Sequence, residues 1–421
     1  MQSKDIVNER RRKAAAAWNA TNEVILIGAG MPISIPGGAD QTFTYHPHPE
    51  YTWLTGGRTR EGGVLAFDPN DGWTLFEPPV TELERIWGGS EPPIGEPIEN
   101  LDKWIEQRKD KKTVWLGVSK NGTADENLTN EFRTKLTHAR RSKDEAEIEL
   151  IKKAVEATKA GHIAMSKALK PGVTERELQI ELETAMFKAG ADEMGYHTTI
   201  CSGPNSAVFH FTPGARKVQP QEFVLVDAGG SVNGYTADVT RTYSSTEFTP
   251  KQKWLRESVI EAKRKAIEAC VIGAEWLEIH RIAAHSMAGS LKHGGILKCS
   301  ADEAIESEAI ALFFAHGIGH MVGLGVRDAS GPLPGRKGDQ KSAGIKVRMD
   351  LPMEAGYLVT VEPGLYFIPA LLKDPARREK FKEQVNWNEV DPWIGQGGVR
   401  QEDNVLVTKS GPLNLTKEIP E

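Results

Sequence analysis

At 421 residues the chain is longer than one ordinary hydrophobic core supports, so two domains are expected. A formal net charge of −6, with acidic and basic residues interspersed, gives no reason to expect nucleic acid or an anionic membrane as partner. The basic amino terminus leads into too few apolar residues for a signal-peptide core, and no window has the apolar length of a membrane span.

Along the first 140 or so residues, short apolar runs alternate with turn residues. EVILIGAG (23–30), YTWLTG (51–56), GGVLAFDP (62–69), WTLFEPP (73–79) and TVWLGVS (113–119) read as strands, with helices around 80–87 and 100–109. Residues 1–141 are therefore expected to form a small α/β domain. The GAGMPI after the first strand has the outline of a dinucleotide loop, but Ile33 stands where the third glycine belongs and no clean helix follows. A nucleotide site is rejected there. Cys201, Cys270 and Cys299 are scattered and odd in number, which suits reduced thiols in a cytoplasmic protein better than a disulfide framework or a CxxC zinc site.

A second domain is expected over 142–421. Ser142 with Glu145 has the spacing of a capping box, and Ile148, Ile151 and Val155 give the following helix an apolar face. Lys170-Pro171-Gly172 ends that helix, and Thr174 with Glu177 opens another. The segment 171–190 resembles 272–295: Gly172 and Gly273 are each followed five residues later by Glu and six later by Leu or Ile. Such a repeat implies two related α+β halves with a cleft between them.

Four later segments carry polar residues where a plain strand would not want them. FVLVDAGGSVNGYTADVTRTY (223–243) reads as a hairpin. Its Asp227 and Asp238 enclose an even number of residues, compatible with a direct cross-strand pair. Two carboxylates held that close require a proton or a cation between them; the plainer alternative is that one aspartate caps the turn. HGIGH (316–320) is too glycine-rich for a regular helix, so it is a loop or strand end, with His320 either hydrogen-bonded structure or a ligand. YLVTVEPGLYF (357–367) places Glu362 before Pro-Gly, and GGVRQEDNVLVT (397–408) places Glu402 before a strand, with Arg400 two residues earlier on the same face. Four carboxylates and an imidazole suit two divalent ions such as Mn²⁺ better than one structural Zn²⁺. Two such ions can share a water, lower its pKa and clamp a tetrahedral intermediate.

VDAG…ADVTRT, HGIGH, TVEPG and GGVRQEDNVLVT resemble the pita-bread metallopeptidases, in the branch of prolidase and aminopeptidase P, over roughly 142–410. The resemblance implies an α+β chain: a small amino-terminal α/β domain followed by a pita-bread catalytic domain that forms a homodimer and acts on small peptides. It implies that Asp227 chelates one metal and Asp238 bridges, that His320 and Glu362 hold the other metal with Glu402 bridging, and that Glu362 also shuttles protons. The metals implied are two divalent ions, Mn²⁺ first and Co²⁺ or Zn²⁺ after it. His210 matches a histidine over the metals that contacts substrate, and His316 one lining the proline side of the pocket; both belong to the catalytic set.

Within the branch, the long interval between Glu362 and Glu402 and the match of Arg348 to a carboxylate-binding arginine point to prolidase, an Xaa-Pro dipeptidase. A bidentate guanidinium reading a free carboxylate would restrict cleavage to dipeptides. Arg400 joins Arg348 and Arg327 among the substrate-binding candidates. Arg327 stands in "VRD" where the family usually has "VHD". It cannot shuttle a proton at neutral pH, but it can donate to an oxyanion, bind a carboxylate or obstruct the pocket. The alternatives are an Xaa-Pro aminopeptidase on longer peptides, a dipeptidase without proline preference, and a binding module that has lost catalysis.

Overall fold

The computed structural model describes residues 2–57, 60–89, 92–118, 124–338 and 340–421. It divides into two compact units, Met1–Arg140 and Arg141–Glu421.

In the first unit, helix Lys4–Trp18, N-capped by Ser3, precedes a five-stranded mixed sheet. Strand Glu23–Gly28 lies between Val64–Asp68, antiparallel, and Lys112–Gly117, parallel. Gly72–Glu77 and Glu96–Pro97 extend the sheet on the Val64–Asp68 side. Helices Glu82–Gly88 and Leu101–Glu106 fall where the sequence placed them. Of the run read as a strand over 113–119, Ser119 lies outside the described residues. One expectation fails: YTWLTG is not a strand but most of helix Pro49–Thr55. His48 accepts the Glu50 N–H as N-cap and Pro49 opens the first turn, a start signal that outweighs the β-prone Tyr-Thr-Trp. The run looked like a strand because Tyr51, Trp53, Leu54 and Thr55 are all buried, which hides helical periodicity.

The second unit is built twice. Helices Glu145–Ala168 and Glu175–Lys188 cover strands Thr199–Ser202, Phe223–Ala228 and Val239–Ser244. Helices Pro250–Glu268 and Trp276–His293 share a second core with Leu358–Val361, Gly364–Tyr366 and Asp403–Thr408. The two halves repeat one backbone pattern. Gly172 N–H donates to Val218 O, Val218 N–H to Val173 O, and Glu175 N–H to Arg216 O; Gly273 donates to Met353, Met353 to Ala274, and Trp276 to Leu351. Both glycines sit at left-handed φ, +89° and +85°, which explains their recurrence. The capping box of the first helix uses Asp144 and Glu147, not Ser142 and Glu145. The Ser142 hydroxyl instead donates to the Ala355 carbonyl, because Ser142 is still in an extended bridge with Tyr357. Thr174 and Glu177 form the box expected of them. All three cysteines are buried free thiols. No helix among the described residues is long and apolar enough to cross a membrane.

Candidate metal centre

Three seams between chain segments bring the acidic residues together. The first is the bent hairpin. Phe223–Ala228 pairs with Val239–Ser244 so that Asp227 faces Thr240, not Asp238. The direct Asp–Asp pair expected from the sequence is thus a diagonal one, two residues out of register but on the same face. The turn at Asn233-Gly234, both at positive φ, sets that register. Opposite Asp238 the ladder opens at Gly229, where an added Cβ would lie 1.7 Å from the Ala237 carbonyl oxygen.

The second seam closes that opening. Asn404 Oδ1 accepts the Asp238 N–H at 3.0 Å, and its Nδ2 donates back to the Asp238 carbonyl. Two residues along, the Thr240 hydroxyl donates to Glu402 Oε2 at 2.6 Å, and Glu402 N–H donates to the Thr240 carbonyl. Two further on, the Thr242 hydroxyl exchanges hydrogen bonds with the backbone of Arg400. Alternate residues of the two halves are thus laced together by side chains. Arg241, Asp403 and Lys263 form a buried ion cluster beneath, with Arg241 also donating to the Glu402 carbonyl at 2.6 Å.

The third seam fixes His320. No helix runs through 316–320; the segment lies along the strand before Glu362, with Thr360 N–H donating to His320 O and Glu362 N–H to Ile318 O, both at 2.8 Å. That approach demands glycine at 319, where φ is +155° and a Cβ would sit 2.1 Å from the Thr360 carbonyl oxygen. Gly319→Ala is expected to cost at least about 2 kcal/mol and to displace the imidazole. Chemical denaturation and Mn²⁺ titration of the variant check this, and wild-type values in both would contradict it. His320 Nδ1 donates to the Met321 carbonyl at 2.9 Å, which turns Nε2 toward the carboxylates.

The outcome is a compact donor set. Ligand atoms of Asp238, His320 and Glu402 lie within 4.8 Å of one another, all three buried. His320 Nε2 is 3.3 Å from Asp238 Oδ2 and 3.7 Å from Glu362 Oε1. Asp227 adjoins them, its Oδ1 accepting from the Tyr196 hydroxyl at 2.7 Å and its Oδ2 from Arg400. Burial and the neighbouring carboxylates drive Glu402 well above the usual carboxylate range and Asp227 upward despite Arg400. Burial pushes Glu362 up to about 7, against the pull of His320 and Arg400. So many acids in one water-poor volume need added positive charge to be ionised together. An oxygen-rich set with one imidazole fits divalent cations.

The sequence-expected substrate residues divide. His210, Arg327 and Arg348 are exposed and line a cavity of about 690 Å³ over the acidic cluster, as do His316, Tyr196 and Arg400. Arg400 is buried and committed: it donates to Thr240 Oγ1 and to the Tyr366 hydroxyl, each at 3.0 Å, and to Asp227. Its guanidinium thus holds Asp227 while still bordering the cavity where substrate binding is expected of it. His316 Nδ1 donates to Gly317 O at 2.8 Å and its Nε2 meets the Tyr366 hydroxyl at 3.0 Å. Burial and the Arg400 charge hold it neutral, at a pKa of about 3. With both nitrogens taken, it stands on the cavity wall, edge-on to Phe209 and Phe314. Sequence reasoning missed Tyr196, Thr240, Thr360, Tyr366 and Asn404. Three of them were findable, since Thr240, Thr360 and Asn404 each stand two residues from a carboxylate on the same strand face.

The profile of metallopeptidase family M24 matches residues 149–409, more than half of the chain. A protein named probable Xaa-Pro aminopeptidase PEPP from Leptosphaeria maculans is 31% identical over 382 residues, covering 84% of this chain and 66% of that one. Another, pepP of Botryotinia fuckeliana, is 35% identical, covering 67% and 61%. The matched stretch of this chain thus spans somewhat less than two thirds of these relatives' lengths. The structure of Pseudomonas aeruginosa aminopeptidase PepP superposes with a TM-score of 0.80 at 24% identity, over 99% of this chain and 96% of that one, a likeness of fold.

Proposed function

The chain belongs to metallopeptidase family M24, and we propose that it hydrolyses the peptide bond between an amino-terminal residue and a following proline, using two divalent metal ions. The observation that carries this reading is the convergence of Asp238, His320 and Glu402, with Asp227 and Glu362 beside them, under one cavity. Asp227, Asp238, His320, Glu362 and Glu402 would hold the ions. When bound, such ions supply a water acidic enough to attack a carbonyl near neutral pH.

The rest of the chemistry falls to the chain's own groups. Glu362, whose Oε1 lies 3.7 Å from His320 Nε2 at the cavity, would carry a proton from the attacking water to the leaving nitrogen. Arg400 and Tyr196 would keep Asp227 ionised and aimed by donating to its two oxygens. His316, Phe209 and Tyr366 would form an apolar wall against the proline ring. The wall excludes water and needs no proton transfer from His316. His210 would lie against the peptide on the exposed side of the cavity.

Dipeptides are the leading substrates in this reading because Arg348 lines the cavity with an exposed guanidinium suited to a free carboxylate. The relatives' names favour the second reading, removal of the first residue from longer Xaa-Pro peptides. Ala-Pro, Ala-Pro-Ala and Ala-Ala assayed with added Mn²⁺ separate the cases. The leading reading expects Ala-Pro to be cleaved fastest and Ala-Ala slowest by at least about tenfold. Faster cleavage of Ala-Pro-Ala selects the aminopeptidase reading, and no cleavage of either proline peptide rejects both. Cytoplasmic location and a homodimer belong to the same proposal.

A further inference from the structure

Arg327 is displayed on a loop that is fastened on two sides. At its base the Asp328 N–H donates to the Met321 carbonyl at 3.2 Å, and the Met321 N–H donates to the Ser330 hydroxyl at 3.0 Å. Inside the loop, the Asp328 carboxylate accepts the Leu324 N–H and pairs with buried Lys143 at 3.0 Å. On the other side the Thr236 N–H donates to Gly323 O and the Gly325 N–H to Gly234 O, each at 2.9 Å, tying the loop to the hairpin turn. Left-handed backbone at Gly325 and Ala329 lets the chain reverse there.

This anchoring leaves Arg327 exposed on the cavity wall, with no hydrogen bond or ion pair among the described residues. The adjoining acid, Asp328, is already taken by Lys143. Arg348 stands exposed on the same cavity, while Arg400 is engaged below. A peptide entering this space displaces water from both exposed guanidinium groups. A neutral group placed against Arg327 leaves its donors poorly solvated, whereas a carboxylate returns charge-assisted, paired hydrogen bonds.

We infer that the site selects peptides carrying two carboxylates, one met by Arg348 and the other by Arg327. This rests on the peptidase reading above. The second carboxylate has two possible sources: an acidic side chain on the residue before proline, or an acidic residue after proline in a tripeptide.

The test compares each acid with its isosteric amide: Glu-Pro against Gln-Pro, and Ala-Pro-Glu against Ala-Pro-Gln, with the full chain and added Mn²⁺. At least one acid is expected to be favoured in kcat/KM by about tenfold. The preference should weaken as salt rises, fall toward unity in Arg327→Gln and persist in part in Arg327→Lys. Whichever pair discriminates identifies the source. Ratios near unity for both pairs, or a ratio unchanged in Arg327→Gln, overturn the inference while leaving the peptidase reading intact. Calorimetric binding of the same peptides to metal-free protein supplies the converse. If nothing is cleaved but the acids still bind more tightly through Arg327, the inference stands and the peptidase reading falls.

Discussion

Asp238→Asn is expected to abolish peptide hydrolysis, lowering kcat/KM by at least about a thousandfold, while the protein keeps its circular dichroism and cooperative unfolding. The position makes that outcome specific. Asp238 is tied into the fold through its backbone, by the Asn404 amide, whereas its carboxylate faces His320 and Glu402. Removing one negative charge therefore leaves the seam intact and takes away a carboxylate that faces His320 and Glu402. Mn²⁺ affinity measured by calorimetry should fall by at least about tenfold in the same variant. Wild-type turnover in Asp238→Asn would end the two-metal proposal.

The second large effect is on stability. Glu362 has its carboxyl raised from 4.5 in an ordinary setting to about 7 in the folded chain. The folded state thus binds the proton more tightly than the unfolded one, so this group stabilises fully below about pH 4.5. That contribution is lost as pH rises through about 7. The loss is on the order of 3 kcal/mol at most, from about 1.4 kcal/mol per pH unit. Metal-free protein should consequently show a Tm that declines from pH 5 to pH 7.5. Adding Mn²⁺ at pH 7.5 should restore several degrees, because the ion binds the folded chain alone. Glu362→Gln should lessen the slope, leaving the part due to Glu402 and Asp227. A Tm that rises steadily over this range, or one that Mn²⁺ does not move, would contradict the electrostatic account of the site.

Much of this was legible in the sequence because the acidic residues interrupt otherwise apolar strands, and period-two alternation tells which neighbours share a face. The glycine pair at 172 and 273 was legible because a left-handed position restricts residue choice; the structure gives both the same backbone partners. The diagonal offset of Asp227 and Asp238 was not legible. An even spacing fixes the face, but the register depends on which residues occupy the turn, and here Asn233-Gly234 do. The role of Arg400 was hidden for another reason. A lone arginine beside a carboxylate gives no sign in the sequence that it is buried and donates to three internal acceptors. The helix at Pro49–Thr55 was masked by its own burial, since a short helix buried on nearly every side shows no periodicity. What the sequence could not supply at all is long-range pairing, such as Asn404 on Asp238 across 166 residues.

The claim that two divalent ions sit among Asp227, Asp238, His320, Glu362 and Glu402 is tested most directly by titrating metal-free protein with Mn²⁺ and following bound metal and Ala-Pro hydrolysis in the same sample. The account predicts saturation at two ions per chain, with activity appearing as the sites fill and both signals lost in Asp238→Asn. Saturation at one ion, no binding at all, or hydrolysis at full rate without metal would contradict it.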